Sequence, residues 1–590
     1  MRGIRSLFVL PSVLGSIVRG AVDDGLSRRG VDNPTPENFR RHAFPAAVVI
    51  GDYVYIDGGE MSQAEGGQEP SESKPSYAMN STLSLPIKSS WTNDSVSIRS
   101  ITKKAPLQNQ QIYWNDPAVN SFYTWGGMTA NWGEAADNEI WKFLADGEGG
   151  GEWSKVTLST IVAFSNSLRP IGAAFTTHNG VGYALGGDVS IRTDTSISGN
   201  LTTAIPGYVT FDMRNLTFTN SSSDGFEKYG TNMNGRAEFI PFGPDGLLIF
   251  LGGSEAPVGG VTEYDQLDWN SLSMLDPKTN KWYSQKTTGS KPTTRERHCT
   301  VGVAGPNGTY EIFIYGGMSD QTTSSSDEVF VLSLPGFVFF KSSSLGTPRN
   351  DHACVVVGKR QMLSVGGTNG YEGYPNSILQ ADPWKQGLGI FDMSQMQWAS
   401  SYDANAAEYE SPQVIRDWYD QGGLASVSWG SDDVKALFID GSNPNVGDNG
   451  TSSTTSSSSG PYSSSTGTGD EPQTSSTPVG AIVGGAVGGV ALLAAIGGAA
   501  GFLLRRRMAQ KAALTDKLNS PTWQYPLVEM PTEASHGELA TQQPRYELAA
   551  HDALFQQNLQ EHYAPEQSYT GTTDQSLQGR DQETTSDVGF

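Results

Sequence analysis

The segment Glu311–Met318 reads EIFIYGGM, a run of β-forming residues that ends in two glycines. Five other segments have the same form: YVYIDGGEM at 53–61, SFYTWGGM at 121–128, GVGYALGGD at 180–188, LLIFLGGS at 247–254 and QMLSVGGT at 361–368. β-branched and aromatic residues favour strands, and glycine suits a position where φ is positive or where two backbones crowd. The recurrence therefore indicates an internal structural repeat.

The repeat glycines are spaced almost regularly. The pairs are Gly58 and Gly59, Gly126 and Gly127, Gly186 and Gly187, Gly252 and Gly253, Gly316 and Gly317, and Gly366 and Gly367. Their second members lie 68, 60, 66, 64 and 50 residues apart. Each pair is preceded by an apolar strand, such as AAVVI, and followed by two further strands, of which the last often carries a Trp (Trp153, Trp282, Trp398). One unit therefore predicts four antiparallel strands, and stacked units predict a β-propeller.

These features resemble kelch repeats, in which a strand ends in a double glycine and an aromatic residue and Trp follow. The resemblance covers about Phe39 to Asp440 and implies an all-β fold with six blades. A seventh blade is the alternative, because VKALFIDGS at Val434 to Ser442 resembles a degenerate repeat. We expect this segment to supply closing strands together with the N-terminal region instead.

Outside the repeats, the sequence predicts a membrane protein. Residues 1–20 have Arg2 and Arg5 before a short apolar run, which is typical of a signal peptide, with a buried strand as the alternative. Residues 479–504 carry no charge and precede three arginines, Arg505 to Arg507, which predicts a transmembrane helix with a cytosolic C-terminus. The chain thus divides into a signal peptide (1–20), a propeller (34–448), a Ser/Thr-rich stalk (449–478), the membrane helix (479–504) and a disordered cytosolic tail (505–590).

This topology predicts a single-pass type I glycoprotein of the plasma membrane or another secretory-pathway membrane. Its domain order resembles membrane kelch proteins of filamentous fungi. Glycine pairs four residues apart in the span, such as Gly484 and Gly488, predict a homodimer, although a glycine-rich composition produces the same spacing. Short hydrophobic and acidic runs in the tail are candidate motifs for cytosolic partners. A net charge of -23 argues against a nucleic-acid partner.

Two kinds of covalent modification are predicted in the ectodomain. Asn-x-Ser/Thr sequons stand outside the predicted span at Asn80, Asn93, Asn200, Asn215, Asn220, Asn307 and Asn449. The chain has two cysteines, Cys299 and Cys354, which follow His298 and His352 on corresponding strands of adjacent repeats. In an oxidising compartment they form a candidate disulfide, and two separate buried cysteines are the alternative.

The sequence contains no recognisable catalytic constellation, so we predict no catalytic residue, no metal ligand and no cofactor. We expect His42, His298 and His352 to hold the same place in the repeat, before the inner strand, and we interpret them as structural residues. Resemblance to galactose oxidase would imply a copper site with two His, two Tyr and a Cys crosslinked to one Tyr, and no such set is found. The alternative of a glycan hydrolase with a pair of catalytic carboxylates is left open.

The function that these features favour is therefore that of a non-enzymatic cell-surface interaction protein. Its propeller would bind an extracellular protein or a wall glycan through loops, which are the usual place for binding residues. Trp132 and Trp384 are candidates for stacking on sugars, although they could also belong to the core. The alternatives are a membrane-tethered enzyme, either an oxidase or a hydrolase, and a purely structural cell-wall protein.

Overall fold

The computed structural model describes residues 33–440 apart from residues 200, 262, 323, 371 and 372. Within this part, six antiparallel sheets follow one another along the chain, each with four strands in sequence order. Sheets 1 to 3 consist of Ala46–Ile50, Tyr53–Asp57, Ser81–Pro86 and Arg99–Thr102; Ile112–Asp116, Ser121–Trp125, Trp141–Ala145 and Gly151–Lys155; and Ala174–His178, Val181–Leu185, Tyr208–Asp212 and Thr217–Ser221.

Sheets 4 to 6 repeat the same order. Their strands are Arg236–Ile240, Leu247–Leu251, Ser271–Asp276 and Lys281–Lys286; Cys299–Ala304, Tyr310–Tyr315, Val329–Leu334 and Val338–Lys341; and Ala353–Val357, Gln361–Val365, Leu388–Asp392 and Gln397–Ala399. Thr288–Gly289 adds a short parallel strand to the outer edge of sheet 5. Each repeat glycine pair directly follows the second strand of its sheet, and Trp153, Trp282 and Trp398 lie on fourth strands, as the repeat pattern predicts.

The sheets close into a ring, because each junction between neighbours holds its own hydrophobic cluster. Side chains of sheets 1 and 2, 2 and 3, 3 and 4, 4 and 5, and 5 and 6 share successive clusters. A sixth cluster joins the last sheet to the first, with Leu363 and Ile390 packed near Val54 and Leu83. Radially packed sheets of this kind are the organisation of a β-propeller, which agrees with the all-β fold predicted from the repeats.

The repeat glycines make the hydrogen bonds that join each sheet to the next. The N–H of the second glycine donates to a carbonyl just before the following sheet: Gly59 to Gln108, Gly127 to Pro170, Gly187 to Asn232, Gly253 to Arg295, Gly317 to Arg349 and, closing the ring, Gly367 to His42, all at 2.6–2.9 Å. At Gly316, φ is 71°, and a Cβ would lie 2.5 Å from the Arg349 carbonyl oxygen. Any side chain there would therefore force the two sheets apart.

Short elements lie between the main strands. The helices are Val162–Ser165, Asn376–Leu379, Gln413–Asp420 and Asp432–Lys435, with 3₁₀ turns at Pro117–Val119, Ala130–Trp132, Lys385–Gly387 and Gly423–Ser426 and a π turn at Ala436–Asp440. Small sheets pair Phe39–Ala43 with Glu60–Gln63 and Tyr77–Ala78; Gln108–Asn109 with Met128–Thr129; Asp188–Val189 with Thr203–Ala204 and Gly259–Gly260; Ser254–Glu255 with Asp265–Gln266; and Trp91–Thr92 with Ser401–Tyr402.

Residues 403–440 form a strap that returns from sheet 6 across sheets 5 and 4. The hydroxyls of Tyr409 and Ser411 donate to the buried Glu311 carboxylate at 3.3 and 3.2 Å. Further on, Phe438 packs against Phe242 and Phe337 between sheets 4 and 5. The expectation that the segment from Val434 supplies closing strands is wrong for its described residues, because they are helical and fill an apolar gap.

Candidate interaction face

Antiparallel pairing gives the ring two different faces. The first and second strands of each sheet are joined by short turns at one end: 51–52, 117–120, 179–180, 241–246, 305–309 and 358–360. The second and third strands are joined by long segments at the opposite end: 58–80, 126–140, 186–207, 252–270, 316–328 and 366–387. We name these ends the short-turn face and the long-loop face.

Two of the long loops are ordered by short strands that pair with one another. In the small sheet of Asp188–Val189, Thr203–Ala204 and Gly259–Gly260, strands from the loops of sheets 3 and 4 are joined. Within the loop of sheet 4, Ser254–Glu255 pairs with Asp265–Gln266. A rigid scaffold therefore carries loops that are themselves fixed in place, and this arrangement suits specific binding.

A ring of backbone surrounds the axis at the long-loop face. The six residues two positions before each first strand all have positive φ between 51° and 63°: Phe44, Gln110, Gly172, Asn234, Arg297 and Asp351. Several are joined directly across sheets, since Asn234 N–H donates to Gly172, Arg297 N–H to Asn234 and Asp351 N–H to Arg297 at 2.6–3.0 Å. These residues were not predicted from the sequence, although counting back from the strand that precedes each glycine pair would have found them.

Three of these residues, Gln110, Arg297 and Asp351, belong to a polar cluster centred on the Asp351 carboxylate. Its carboxylate accepts from Gln110 Nε2 at 2.9 Å, from Asn350 Nδ2 at 2.8 Å and from Arg297 Nη1 at 3.4 Å. Gln110 precedes sheet 2 and Asp351 precedes sheet 6, so their contact joins two sheets that are not neighbours in the ring. The side chains of this cluster therefore satisfy one another across different sheets.

Two further charged groups lie on the first strand of sheet 4. Burial lowers the pKa of Arg236 to about 10, and the nearby Asp351 opposes this shift while Arg297 adds to it. Burial raises the pKa of Glu238 to about 7, although its carboxylate accepts a 2.6 Å hydrogen bond from Thr300. A carboxyl group with such a pKa can exchange a proton near neutral pH.

The three histidines interpreted as equivalent do not occupy one position. His298 and His352 directly precede the first strands of sheets 5 and 6, whereas His42 lies four residues before Ala46. His42 instead corresponds to Arg295 and Arg349, the carbonyl acceptors of the glycine bonds. All three histidines are buried, and burial lowers each pKa, in His42 to about 4. They are therefore neutral at physiological pH.

The structure joins Cys299 and Cys354 in a disulfide with a Cα–Cα distance of 5.6 Å, between the first strands of sheets 5 and 6. In the described part of the chain, these sulfurs and a ring nitrogen of His352 form a group with the spacing of metal ligands. The two sulfurs are bonded to each other, so neither offers a thiolate to a metal. The chain has no other cysteine, and a Cys–Tyr crosslink as in galactose oxidase would need a free one.

Trp384, a candidate for sugar stacking, is half-buried and packs against the hydrophobic cluster between sheets 5 and 6. It packs at 4.8 Å between ring centroids against Trp398, and the Arg349 guanidinium lies 3.8 Å above its ring. The side chain of Trp132 lies outside the described part of the structure.

Buried arginines donate hydrogen bonds to the carbonyls of the glycine pairs. This role was not predicted from the sequence. Arg41 donates to the Gly367 carbonyl at 3.1 Å, Arg169 to Gly127 at 2.7 Å and Arg295 to Gly316 at 3.0 Å; Arg349 donates to Gly366. Each satisfies a carbonyl at the inner crossing of two sheets, which would otherwise be buried without a partner.

The predicted sequons differ in exposure. Asn215 and Asn307 are exposed in turns of the short-turn face, and Asn220 is exposed on an outer strand. Asn80 and Asn93 are half-buried, and Asn93 Nδ2 donates to the Leu388 carbonyl at 3.2 Å. Asn200 and Asn449 lie outside the described residues.

The predicted signal peptide, stalk, transmembrane helix and cytosolic tail also lie outside the described residues. Among the residues that the structure does describe, no helix has the length and apolarity to span a membrane.

Comparison with known proteins supports the resemblance to kelch repeats. The chain is 22% identical over 446 residues to a kelch repeat-containing protein of Arthroderma benhamiae, a match that covers 68% of this chain and 62% of that protein. The match therefore spans less than two thirds of the relative's length. No protein-family model matches the chain.

Proposed function

We propose that this chain is a non-enzymatic interaction protein whose six sheets are the blades of a kelch-type propeller. Its long-loop face binds an extracellular protein or a wall glycan. The observation that carries the proposal is the difference between the faces, because the six long loops that join second and third strands all lie at one end of the ring, and two of them pair with each other. The similarity to a kelch repeat-containing protein supports the same class.

The strap ends near the short-turn face, where the Gly243 N–H donates to the Leu437 carbonyl at 3.0 Å. Beyond the described residues, the proposal includes a stalk at 449–478, a membrane helix at 479–504 and a cytosolic tail at 505–590 that recruits partners.

A secreted protein of residues 21–448 tests the proposal on an array of wall polysaccharides and on a random-peptide display library. Gln321→Asn creates a sequon on the long-loop face of sheet 5, and Asn307→Gln removes one from the short-turn face of the same sheet. Saturable binding that falls at least tenfold in Gln321→Asn and persists in Asn307→Gln is the expected result. Absence of binding to both probes, or the opposite response of the variants, would overturn it.

The enzymatic alternative is tested on the same sample. A hydrolase would need two carboxyl groups at an accessible site, for which Glu238 with its raised pKa is one candidate, and an oxidase would hold copper. Stoichiometric copper by elemental analysis, or release of reducing sugar from a wall polysaccharide that Glu238→Gln abolishes, would replace the non-enzymatic proposal. The purely structural alternative predicts that deletion of residues 508–590 leaves localisation and partner recruitment unchanged.

A further inference from the structure

Sheet 4 has two charged residues at positions where the other five sheets have uncharged ones. Arg236 and Glu238 are the first and third residues of its first strand. The equivalent residues of the other sheets are Ala46, Ile112, Ala174, Cys299 and Ala353 at the first position and Val48, Trp114, Thr176, Val301 and Val355 at the third. Packing of the ring therefore needs no charge at these positions, and charged groups away from bulk water lower stability unless they are paired.

Solvent reaches these two side chains from inside the ring. First strands of neighbouring sheets contact one another, so they form the innermost layer. The second strand of sheet 4, Leu247–Leu251, is buried along its whole length, whereas Arg236, Glu238 and Thr300 on the first strand of sheet 5 are half-buried. Because the second strand lies outside the first, these three side chains are exposed towards the axis of the ring.

The Arg236 guanidinium has two nitrogens without a protein partner. Nη1 donates to the Gly235 carbonyl at 3.0 Å, but Nε and Nη2 have no hydrogen-bond acceptor among the described residues. No carboxylate in this part of the chain forms an ion pair with Arg236, since Glu238 accepts from Thr300 and Asp351 is held by the polar cluster at the long-loop face. The N–H bonds of Nε and Nη2 point the same way, and this edge of a guanidinium binds a carboxylate through two parallel hydrogen bonds.

Glu238 provides an acceptor beside this edge. Its Oε1 accepts from the Thr300 hydroxyl at 2.6 Å, and its Oε2 has no hydrogen-bond donor among the described residues. Residues two apart on a strand point to the same side, at a separation of about 7 Å. A small molecule with a carboxylate and a hydroxyl can therefore contact both side chains at once.

We propose that Arg236 and Glu238 form a binding site for a small hydroxycarboxylic acid. The ligand carboxylate pairs with Nε and Nη2 of Arg236, and a ligand hydroxyl bonds to Oε2 of Glu238. This site faces the axis and is separate from the long-loop face, so it does not depend on the proposed function. A free small acid is favoured over an acidic polysaccharide, because the first strands of the sheets surround the site and a polymer could enter only by its end.

Isothermal titration of the full-length protein in detergent tests the site with three acids: glycolate, lactate and glucuronate. We expect saturable binding of at least one acid, with one site per chain, and no binding of the corresponding amide, which lacks the charge. If none of the three acids binds at millimolar concentration, the proposal is wrong. Binding of polyglucuronate that requires Arg236, without binding of glucuronate, would also overturn it.

Variants show which groups hold the acid. Arg236→Lys keeps the positive charge but loses the two parallel donors, so affinity should fall about tenfold. In Glu238→Leu, glycolate should bind no more tightly than acetate, because the group that recognises the hydroxyl is absent. Arg214→Lys is the matched control, since the Arg214 side chain is 58% exposed, and its affinity should equal that of wild type.

Urea denaturation without ligand distinguishes a binding residue from a structural one. Arg236→Met places an apolar side chain where the other sheets have uncharged residues, so this variant should be at least as stable as wild type while it no longer binds the acid. Equal affinity of Arg236→Lys and wild type would contradict the site. Marked destabilisation of Arg236→Met would also contradict it, because the arginine would then be needed for the fold.

Discussion

The junction between sheets 5 and 6 and the junction between sheets 6 and 1 close the same ring by different means. The first joins segments that are close in the chain and is crossed by the Cys299–Cys354 disulfide and by the strap. The second joins the two ends of the described chain and has no covalent link. It relies on Arg41, on the pairing of Trp91–Thr92 with Ser401–Tyr402 and on apolar packing.

The difference shows where the polar contacts are concentrated. At the junction between sheets 6 and 1, which we name the closing junction, Arg41 donates to the carbonyls of Gly367, Gln380 and Ala381. Gln386 Nε2 donates to the carbonyls of Asn93 and Val96. Apolar packing is present at all six junctions, but it does not fix one register. Directed hydrogen bonds to buried carbonyls fix the register, because a shift of one sheet along the other would leave these carbonyls unpaired.

Removing the disulfide should have the largest effect. For a sequence separation of 55 residues, loss of the crosslink is expected to lower the free energy of unfolding by about 4 kcal/mol in Cys299→Ser with Cys354→Ser. Urea denaturation measures this value. Wild type in dithiothreitol should match the double variant, and an unchanged midpoint would mean that the strap and the packing already hold this junction.

Weakening the junction between sheets 6 and 1 should have the next largest effect on stability. Arg41→Ala leaves three buried carbonyls without their donor and is expected to cost about 3 to 4 kcal/mol by urea denaturation. Its neighbour Arg40 provides the control, because it pairs with Glu69, whose side chain is 66% exposed, and Arg40→Ala should cost less than about 1 kcal/mol. Equal effects of the two variants would contradict the importance given to the buried arginine.

The strap should make stability depend on pH. Burial raises the pKa of Glu311 to about 7, above its ordinary value near 4.5, so the folded state holds its proton more tightly than the unfolded state. Stability is therefore full below about pH 4.5 and falls as the pH rises to about 7, by roughly 3 kcal/mol for this group.

Glu311→Gln should remove this contribution to the pH dependence of the free energy of unfolding, measured by unfolding curves recorded from pH 4.5 to 8. Glu238, whose pKa is also raised to about 7, lies on an innermost strand away from the strap, and Glu238→Gln should remove a separate part. If Glu311→Gln leaves the slope unchanged, the carboxyl group is not enclosed by the strap.

The smallest effect concerns glycosylation at the closing junction. Asn93 donates its side-chain amide to Leu388 and is half-buried there, so we expect it to be unmodified, whereas Asn215, Asn220 and Asn307 are exposed and should carry glycans. Peptide mapping after glycosidase treatment in heavy-oxygen water counts the occupied sites. A glycan on Asn93 would show that this junction does not need its hydrogen bond to Leu388.

The repeat was readable from the sequence because its signals are local. A strand ending in two glycines needs only its own residues to be recognised, and six such segments predict six sheets with Trp on outer strands. The position of His42 in the repeat was predicted wrongly because it depends on a pairing that local sequence does not show. Its spacing to Arg41 resembles that of His298 to Arg297, but only the pairing of Ala46 with Asp57 shows that the register differs.

The partners of the buried arginines and the cluster around Asp351 were not predictable in this way. Each combines residues from different sheets or loops, and the sequence carries no periodic signal for such contacts. The strap illustrates the same limit, since VKALFID is compatible with a strand by composition and becomes helical because the apolar gap between sheets 4 and 5 admits Val434 and Phe438 on one helical side.

The repeat unit is therefore encoded locally, as four strands with a glycine pair after the second and cysteines on corresponding strands. These features follow from local preferences for β structure and from the freedom of glycine at positive φ. The contacts at the axis, the face that carries the paired loops and the end point of the strap follow instead from the packing of the sheets. Those outcomes depend on closing the ring, which brings together residues that are hundreds of positions apart in the chain.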